Sequence, residues 1–224
     1  LKLINNKEMI LHVYEAASKS NAGEVYVATP DKAIFELVSN YGGKAVLSSE
    51  THNTGTDRIF EVFKNTLKSL PNIIVNLQGD MPNIEPKIIK NLINYMQQGK
   101  CEVGTLASEI KNNFELEDEN IVKVLVKEKL KEGIFSEALD FLRVNPGENH
   151  KTYHHVGIYA FTSIALTKYV SLKRSKLELN RKLEQLRAME NGMSIHVGYI
   201  NSSPLSVDTE KDLFRIKKLM EKNE

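Results

Sequence analysis

The chain has 224 residues, with 30 Lys plus Arg against 29 Asp plus Glu, a net charge of +1, and 41% hydrophobic residues. That is enough apolar content for one large α/β domain, or for a domain with an inserted subdomain, and the balanced charge argues against a nucleic-acid binder or a polybasic membrane binder. The single cysteine, Cys101, excludes an intramolecular disulfide and a Cys-based zinc site, and no apolar run is long enough to cross a bilayer, so a reducing cytoplasm is the expected compartment.

Met9, Ile10, Val13, Ala16 and Ala17 recur at helical spacing and predict a helix over residues 8–20. Residues 24–29 read as a short strand. Pro30 is expected in the first turn of the next helix, whose apolar stripe is Ile34, Leu37, Val38 and Tyr41 and whose end is Gly42-Gly43. A second strand over 44–48 leads into a polar loop over 49–56. A third helix follows, with Ile59, Phe63 and Leu67 on one face, and then the strand Ile73-Ile74-Val75. Strand, helix, strand, helix, strand predicts a parallel sheet with right-handed crossovers.

Residues 86–98 read as a helix from Pro86 to the stop at Gly99, and 103–108 as a strand. Residues 121–127 alternate as a strand with one polar face. From 128 to 152 the pattern fades, and Pro146 and Gly147 suggest a loop-rich connection or subdomain. A strand over 153–161, helices over 163–172 and 177–191 with Gly192 ending the second, and a strand over 195–200 follow. The last helix covers 210–222, with Leu213, Ile216, Leu219 and Met220 facing inward. There is no internal repeat and no low-complexity tract.

Several segments could carry chemistry. Val75 leads into Asn76-Leu77-Gln78-Gly79-Asp80, and a buried strand ending in polar groups and a Gly suits the ligand-binding edge of an open α/β sheet. Gly79 allows a sharp turn or a close approach, and Asp80 offers a hard oxygen suited to Mg²⁺. A capping role for Asp80 weighs about equally. Thr54-Gly55-Thr56-Asp57-Arg58 stands at a helix N-terminus, where an anion is favoured; ordinary capping by Thr56 is the commoner reading of such a motif. Thr209 and Asp212 resemble a capping box, which leaves Asp208 just outside the helix, either facing solvent or joining Asp80 at a metal. His155, Gly157 and Tyr159 share one strand face and could bond a polar ligand, although a structural histidine is the usual outcome. Leu183-Glu184-Gln185-Leu186-Arg187 reads as a helical stretch with a polar face. His12, His52, His150 and His196 form no nucleophile arrangement with an acid.

Taken in order, ATPDKAI at 28–34, THNTGTDRI at 51–59, VNLQGDMP at 75–82, HVGIYAF at 155–161, LEQLR at 183–187 and VDTEKDL at 207–213 closely resemble the 3-deoxy-manno-octulosonate (Kdo) cytidylyltransferases. The resemblance runs from Leu1 to the C-terminal helix. It implies a Rossmann-like nucleotidyltransferase α/β fold with a mixed, largely parallel sheet, forming a single domain over 1–224 with a smaller sugar-binding and dimerisation region over 128–190. It implies transfer of CMP from CTP to Kdo, giving CMP-Kdo and pyrophosphate for lipopolysaccharide synthesis, with Mg²⁺ as cofactor and a homodimer as the assembly. Asp80 and Asp208 would be the catalytic Mg²⁺ ligands. Gln78, His155, Tyr159, Glu184 and Gln185 would surround the sugar acid, and Thr54, Gly55, Thr56 and Arg58 would hold the nucleotide.

The family's first strand and its basic loop ending in Gly-Lys-Pro are expected immediately before Leu1. Met81 stands where Glu is usual, Glu137 of Phe135-Ser136-Glu137 where Arg is usual, and Pro30 where Asp is usual. The alternatives are a cytidylyltransferase for another sugar acid, such as a sialic acid, and a non-catalytic nucleotide- or sugar-binding homologue.

Overall fold

A computed structural model describes residues 1–49, 51–66, 71–147 and 151–221. In chain order the elements are β1 (Leu3–Ile4), β2 (Lys7–Glu8), α1 (Met9–Lys19), β3 (Tyr26–Thr29), α2 (Lys32–Asn40), β4 (Lys44–Leu47), α3 (Gly55–Thr66), β5 (Ile73–Asn76), α4 (Pro86–Met96) and β6 (Val103–Ser108). There follow α5 (Asn113–Glu117), β7 (Lys123–Val126), β8 (Phe135–Leu142), β9 (Thr152–Thr162), α6 (Ser163–Ser171), α7 (Lys176–Arg181), α8 (Leu186–Glu190), β10 (Ile195–Tyr199) and α9 (Glu210–Glu221). The chain divides into two compact units, the first made of Leu1–Lys68, Gln78–Lys90 and Pro204–Glu224, the second of Ser69–Leu77 and Asn91–Ser203.

In the first unit β3 and β4 pair in parallel, joined by α2. Helix α2 starts because the Asp31 carboxylate accepts from the N–H groups of Ala33, at 2.7 Å, and Ile34, at 3.4 Å. Pro30 therefore precedes the cap and is not in the first helical turn. Tyr41 caps the other end, and Gly42, at φ +86°, takes a left-handed conformation that L side chains rarely adopt. Ile4, Leu213 and Ile216 form a buried cluster, with Met9, Leu205, Val207 and Met220 packed against it. It fixes α9 by one face; Leu219, expected inward, is 39% exposed because it falls off that stripe. Leu67 lies outside the described residues.

The second unit holds a six-stranded sheet in the order β5-β9-β6-β10-β8-β7, and β7 also pairs with β9. The α/β class and the mixed sheet are as expected, but strand direction departs from the largely parallel expectation. Among the described residues β3–β4 and β6–β10 run parallel, and the other ladders are antiparallel. In particular β5 pairs antiparallel with β9, and not with the β3–β4 pair that precedes it in sequence. The long strand β9 collects β5 and β7 along with β6, and such non-local partners leave no trace in local periodicity.

Strand β8 falls in the stretch where the pattern faded. Its alternation is broken at two positions: Ser136 is buried with Ala138 and Phe141, whereas Leu139 is 56% exposed. Strand β7 has no polar face. All four of its residues are buried, including Lys123, whose ammonium donates to the carbonyls of Asp118 at 2.6 Å and Arg143 at 2.8 Å. Those bonds satisfy the buried charge. Tyr95 stacks on Phe135 with centroids 3.5 Å apart, and a Cβ on Gly198 would lie 2.3 Å from the Phe135 ring, so this strand position admits only glycine.

Candidate active site

In the first unit the chain after β5 turns through Gln78, Gly79 and Asp80. Gln78 is half-buried. Gly79 is closely packed: a Cβ there would come 3.0 Å from Ile10 Cδ1, which would have to shift slightly, and its φ is not in the left-handed range. The segment before α9 docks beside this turn. Val207 N–H donates to the Asp80 carbonyl at 3.0 Å, and Leu205 N–H donates to Asn83 Oδ1 at 2.9 Å. Leu205 and Val207 are anchored in the apolar cluster below, so burial of these two side chains sets the position of the polar residues between and after them.

The result is a meeting of two carboxylates far apart in sequence. Ser206 Oγ lies 2.8 Å from Asp80 Oδ2 and 3.3 Å from Asp208 Oδ2. One hydroxyl proton cannot serve both, and it goes to the nearer oxygen. Asp80 Oδ1 is buried and has no hydrogen-bond partner among the described residues. Burial raises the Asp80 carboxyl above its ordinary range; Asp208 adds to the rise, and Ser206 opposes it. A buried, under-bonded carboxylate beside a second one is a site for a cation. Asp208 stands outside α9 because Thr209 and Asp212 complete the capping box, with Thr209 N–H to Asp212 Oδ2 at 2.9 Å and Asp212 N–H to Thr209 Oγ1 at 3.2 Å. Among the described residues no group of three or more His, Cys, Asp or Glu side chains gathers for a metal. A cation held here would draw its remaining ligands from water and substrate oxygens, which fits Mg²⁺.

The turn before α3 belongs to the same unit. The expected cap, Thr56, lies two residues too late: it is buried inside the helix, and Thr54 does the capping. Thr54 Oγ1 accepts from Asp57 N–H at 3.2 Å and donates to the Asp57 carboxylate at 2.9 Å. Gly55 opens the helix. Arg58 Nε is buried without a hydrogen-bond partner among the described residues. Ser49 and His52 both bond the Glu61 carboxylate, tying the preceding loop to α3. Ser49 and Glu61 meet the same ring nitrogen, Nε2 of His52, so this trio is no nucleophile relay.

In the second unit His155, Tyr159 and Glu184 come together. Residues four apart on a regular strand are separated by about 13 Å, yet the His155 and Tyr159 rings lie 5.4 Å apart. The cause is a bulge in β9: Thr105 pairs with Tyr159, but the next residue, Leu106, pairs with Val156. Simple alternation therefore gives the right pair for the wrong reason, and Gly157 falls in the bulge. His155 Nε2 is 2.9 Å from Thr105 Oγ1, and burial, with a smaller contribution from His154, lowers the imidazole pKa to about 3. The Tyr159 phenol is held well above its ordinary value, first by burial and then by the charge of Glu184.

The expected helix over 177–191 is broken. Lys182, at φ 54°, ends α7 in a left-handed conformation, so Leu183, Glu184 and Gln185 form a turn and not a helical face. Gln185 is buried at the start of α8. The turn is held from beneath. Tyr169 Oη donates to the Glu184 carbonyl at 2.9 Å, and the buried Arg187 bonds the buried Glu178 carboxylate through Nε at 3.0 Å and Nη2 at 2.7 Å. Arg187 also lies 4.6 Å from the Tyr169 ring centre. Ser206, Thr105, Tyr169 and Glu178 carry no sequence signal of their own; each becomes visible through its partner.

A protein-family model described as cytidylyltransferase matches residues 1–195. A 3-deoxy-manno-octulosonate cytidylyltransferase of Bartonella tribocorum is 38% identical over 223 residues, covering 97% of this chain and 89% of that protein. The chain belongs to the 3-deoxy-manno-octulosonate cytidylyltransferase family. A solved structure of a CMP:2-keto-3-deoxy-manno-octonic acid synthetase complexed with CTP superposes with a TM-score of 0.90 at 34% identity, covering 100% of this chain and 92% of that one. The nucleotidyltransferase fold extends further. The 4-diphosphocytidyl-2C-methyl-D-erythritol synthase of Anaerococcus prevotii, at 14% identity, has a TM-score of 0.63. Among the described residues of this cytidylyltransferase no helix is long and apolar enough to cross a membrane.

Proposed function

We propose that the protein transfers CMP from CTP to Kdo, releasing pyrophosphate, and so supplies an activated sugar for lipopolysaccharide synthesis. The observation that carries this reading is the convergence of Asp80 and Asp208 on Ser206, with one buried oxygen of Asp80 lacking a partner among the described residues, in a chain of the cytidylyltransferase family. In the reaction the anomeric hydroxyl of the sugar acid attacks the α-phosphorus of CTP. An O–P bond forms, the α–β phosphoanhydride bond breaks, pyrophosphate leaves and the hydroxyl proton is lost to solvent.

Asp80 and Asp208 would hold Mg²⁺, which when bound neutralises charge on the phosphate oxygens. The chain's own residues do the positioning. The α3 N-terminus with Thr54, Gly55 and Thr56 offers a positive dipole end to the nucleotide. The Arg58 Nε–H adds a donor whose acceptor is taken to be the ligand. In the second unit, within the 128–190 sugar region, the neutral His155, the protonated Tyr159 and the Glu184-Gln185 turn would bond the sugar acid. A sugar acid carries many hydroxyls, and this set offers both donors and acceptors.

An acceptor panel tests the reading. With CTP and Mg²⁺ fixed, pyrophosphate release is expected with Kdo and at least about 100-fold more slowly with a sialic acid, since a site built to bond particular hydroxyls rejects analogues strongly. Equal rates with both acids, or CTP binding without any turnover, would replace the reading with one of the two alternatives. The homodimer is part of the same reading. Light scattering is expected to give twice the 25.4 kDa chain mass, and a concentration-independent monomer would remove the dimer from the account.

A further inference from the structure

The geometry around the β9 bulge points to a role for a residue outside the motifs. Thr105 sits opposite the bulge, and its hydroxyl has three neighbours: Ile158 O at 2.7 Å, Val156 O at 3.2 Å and His155 Nε2 at 2.9 Å. Carbonyl oxygens only accept, so the single hydroxyl proton is committed to the backbone, with Ile158 O as the shorter bond. The remaining contact must then run the other way, with His155 Nε2–H donating to Thr105 Oγ1. That makes Nδ1 the acceptor nitrogen of the ring. The Phe141 ring meets the imidazole edge-on at 5.0 Å and Tyr159 lies on another side, so the ring cannot swing freely. Thr105 is itself fully buried, and the hydroxyl is the polar group that faces His155 there.

We propose that Thr105 is a positioning residue: it locks His155 as the Nε2–H tautomer, so that His155 receives a hydroxyl of the sugar acid on Nδ1 and does not pair with the carboxylate. The proposal rests on the sugar-site reading of His155 given above. It differs from a structural role because it predicts which proton His155 carries and which substrate constant responds.

Nitrogen NMR of histidine-labelled protein is expected to show His155 neutral and protonated on Nε2 between about pH 5 and 8. Thr105→Val, close in shape, is expected to raise KM for Kdo about tenfold, as loss of one oriented hydrogen bond does. The same change should leave KM for CTP unchanged and kcat within about twofold, and Thr105→Ser should restore the wild-type constants. An Nδ1–H tautomer in the wild type, or an equal rise in both KM values, overturns the proposal. So does an unchanged KM for Kdo in Thr105→Val. His155→Asn separates the two levels of inference. If it leaves KM for Kdo unchanged, the sugar-site reading of His155 fails and the proposal with it; if it raises that KM while Thr105→Val does not, only the proposal fails. The tautomer measurement uses wild-type protein and stands even if the valine variant does not fold.

Discussion

Asp80→Asn is expected to lower CTP- and Kdo-dependent pyrophosphate release by 10²-fold or more, the usual scale for removing one group that stabilises transition-state charge, and to raise the melting temperature of the metal-free protein. The two effects have one cause. In the absence of a cation the fold keeps a carboxylate with a buried, unbonded oxygen beside Asp208, both competing for a single Ser206 proton. Asn keeps an acceptor for Ser206 and removes the repulsion.

The pH dependence follows with a definite sign. Burial first, and Asp208 second, hold the Asp80 carboxyl above 3.8, so the folded state binds more protons than the unfolded state as pH rises from that value. The contribution of Asp80 to metal-free stability therefore falls as pH rises through its folded pKa. The wild type in EDTA should lose stability relative to Asp80→Asn over that rise, and Mg²⁺ should recover it in the wild type alone. Scanning calorimetry with and without Mg²⁺ checks this. A variant that is less stable in EDTA, or that keeps an Mg²⁺-induced shift, contradicts the assignment.

Arg187→Met is expected to destabilise the protein by about 3–5 kcal/mol, the scale for stranding one partner of a buried ion pair. Glu178 is 1% exposed and accepts from Arg187 twice, from Arg174 Nε at 2.8 Å and from the Ser175 N–H at 3.1 Å. Burial alone would raise the Glu178 carboxyl, but these bonds outweigh it and hold it below 4.5. A depressed carboxyl contributes stability that is present above its unfolded pKa and is lost as pH falls through the folded one. In Arg187→Met the balance tips toward burial, so acidification toward pH 4.5 should narrow the gap between variant and wild type. Urea unfolding at two pH values reads this. The pair replacement Glu178→Leu with Arg187→Met should recover much of the loss, since no buried charge is left. A loss below about 1 kcal/mol in the single variant would mean that Glu178 is not dependent on Arg187. Because the pair underlies the Glu184-Gln185 turn, the single variant should also raise KM for Kdo.

Much of this was legible in the sequence wherever the information is local. Helical periodicity located α1 and α9, Pro86 and Gly99 bracketed α4, the Thr209–Asp212 box fixed the start of α9, and the polar exit from β5 marked Asp80. What stayed hidden depends on partners far along the chain or on a conformation that composition does not encode. Strand β8 buries Ser136 and exposes Leu139, which blurs its hydrophobic pattern although Phe141 is buried. Lys182 breaks a helix without Gly or Pro to announce it. The β9 bulge exists only against its ladder with β6, and it is the bulge that gathers His155, Tyr159 and Thr105. Asp80 and Asp208 meet because two apolar residues, Leu205 and Val207, pack near Ile4 and Ile216, which no spacing of carboxylates could reveal.

The central claim is tested most directly by phosphorus NMR of the protein mixed with CTP, Mg²⁺ and Kdo. The account predicts that a sugar phosphodiester and free pyrophosphate appear in equal amounts, that neither forms without Kdo, and that EDTA stops both. CTP loss without Kdo, or equal product formation by Asp80→Asn, would contradict it.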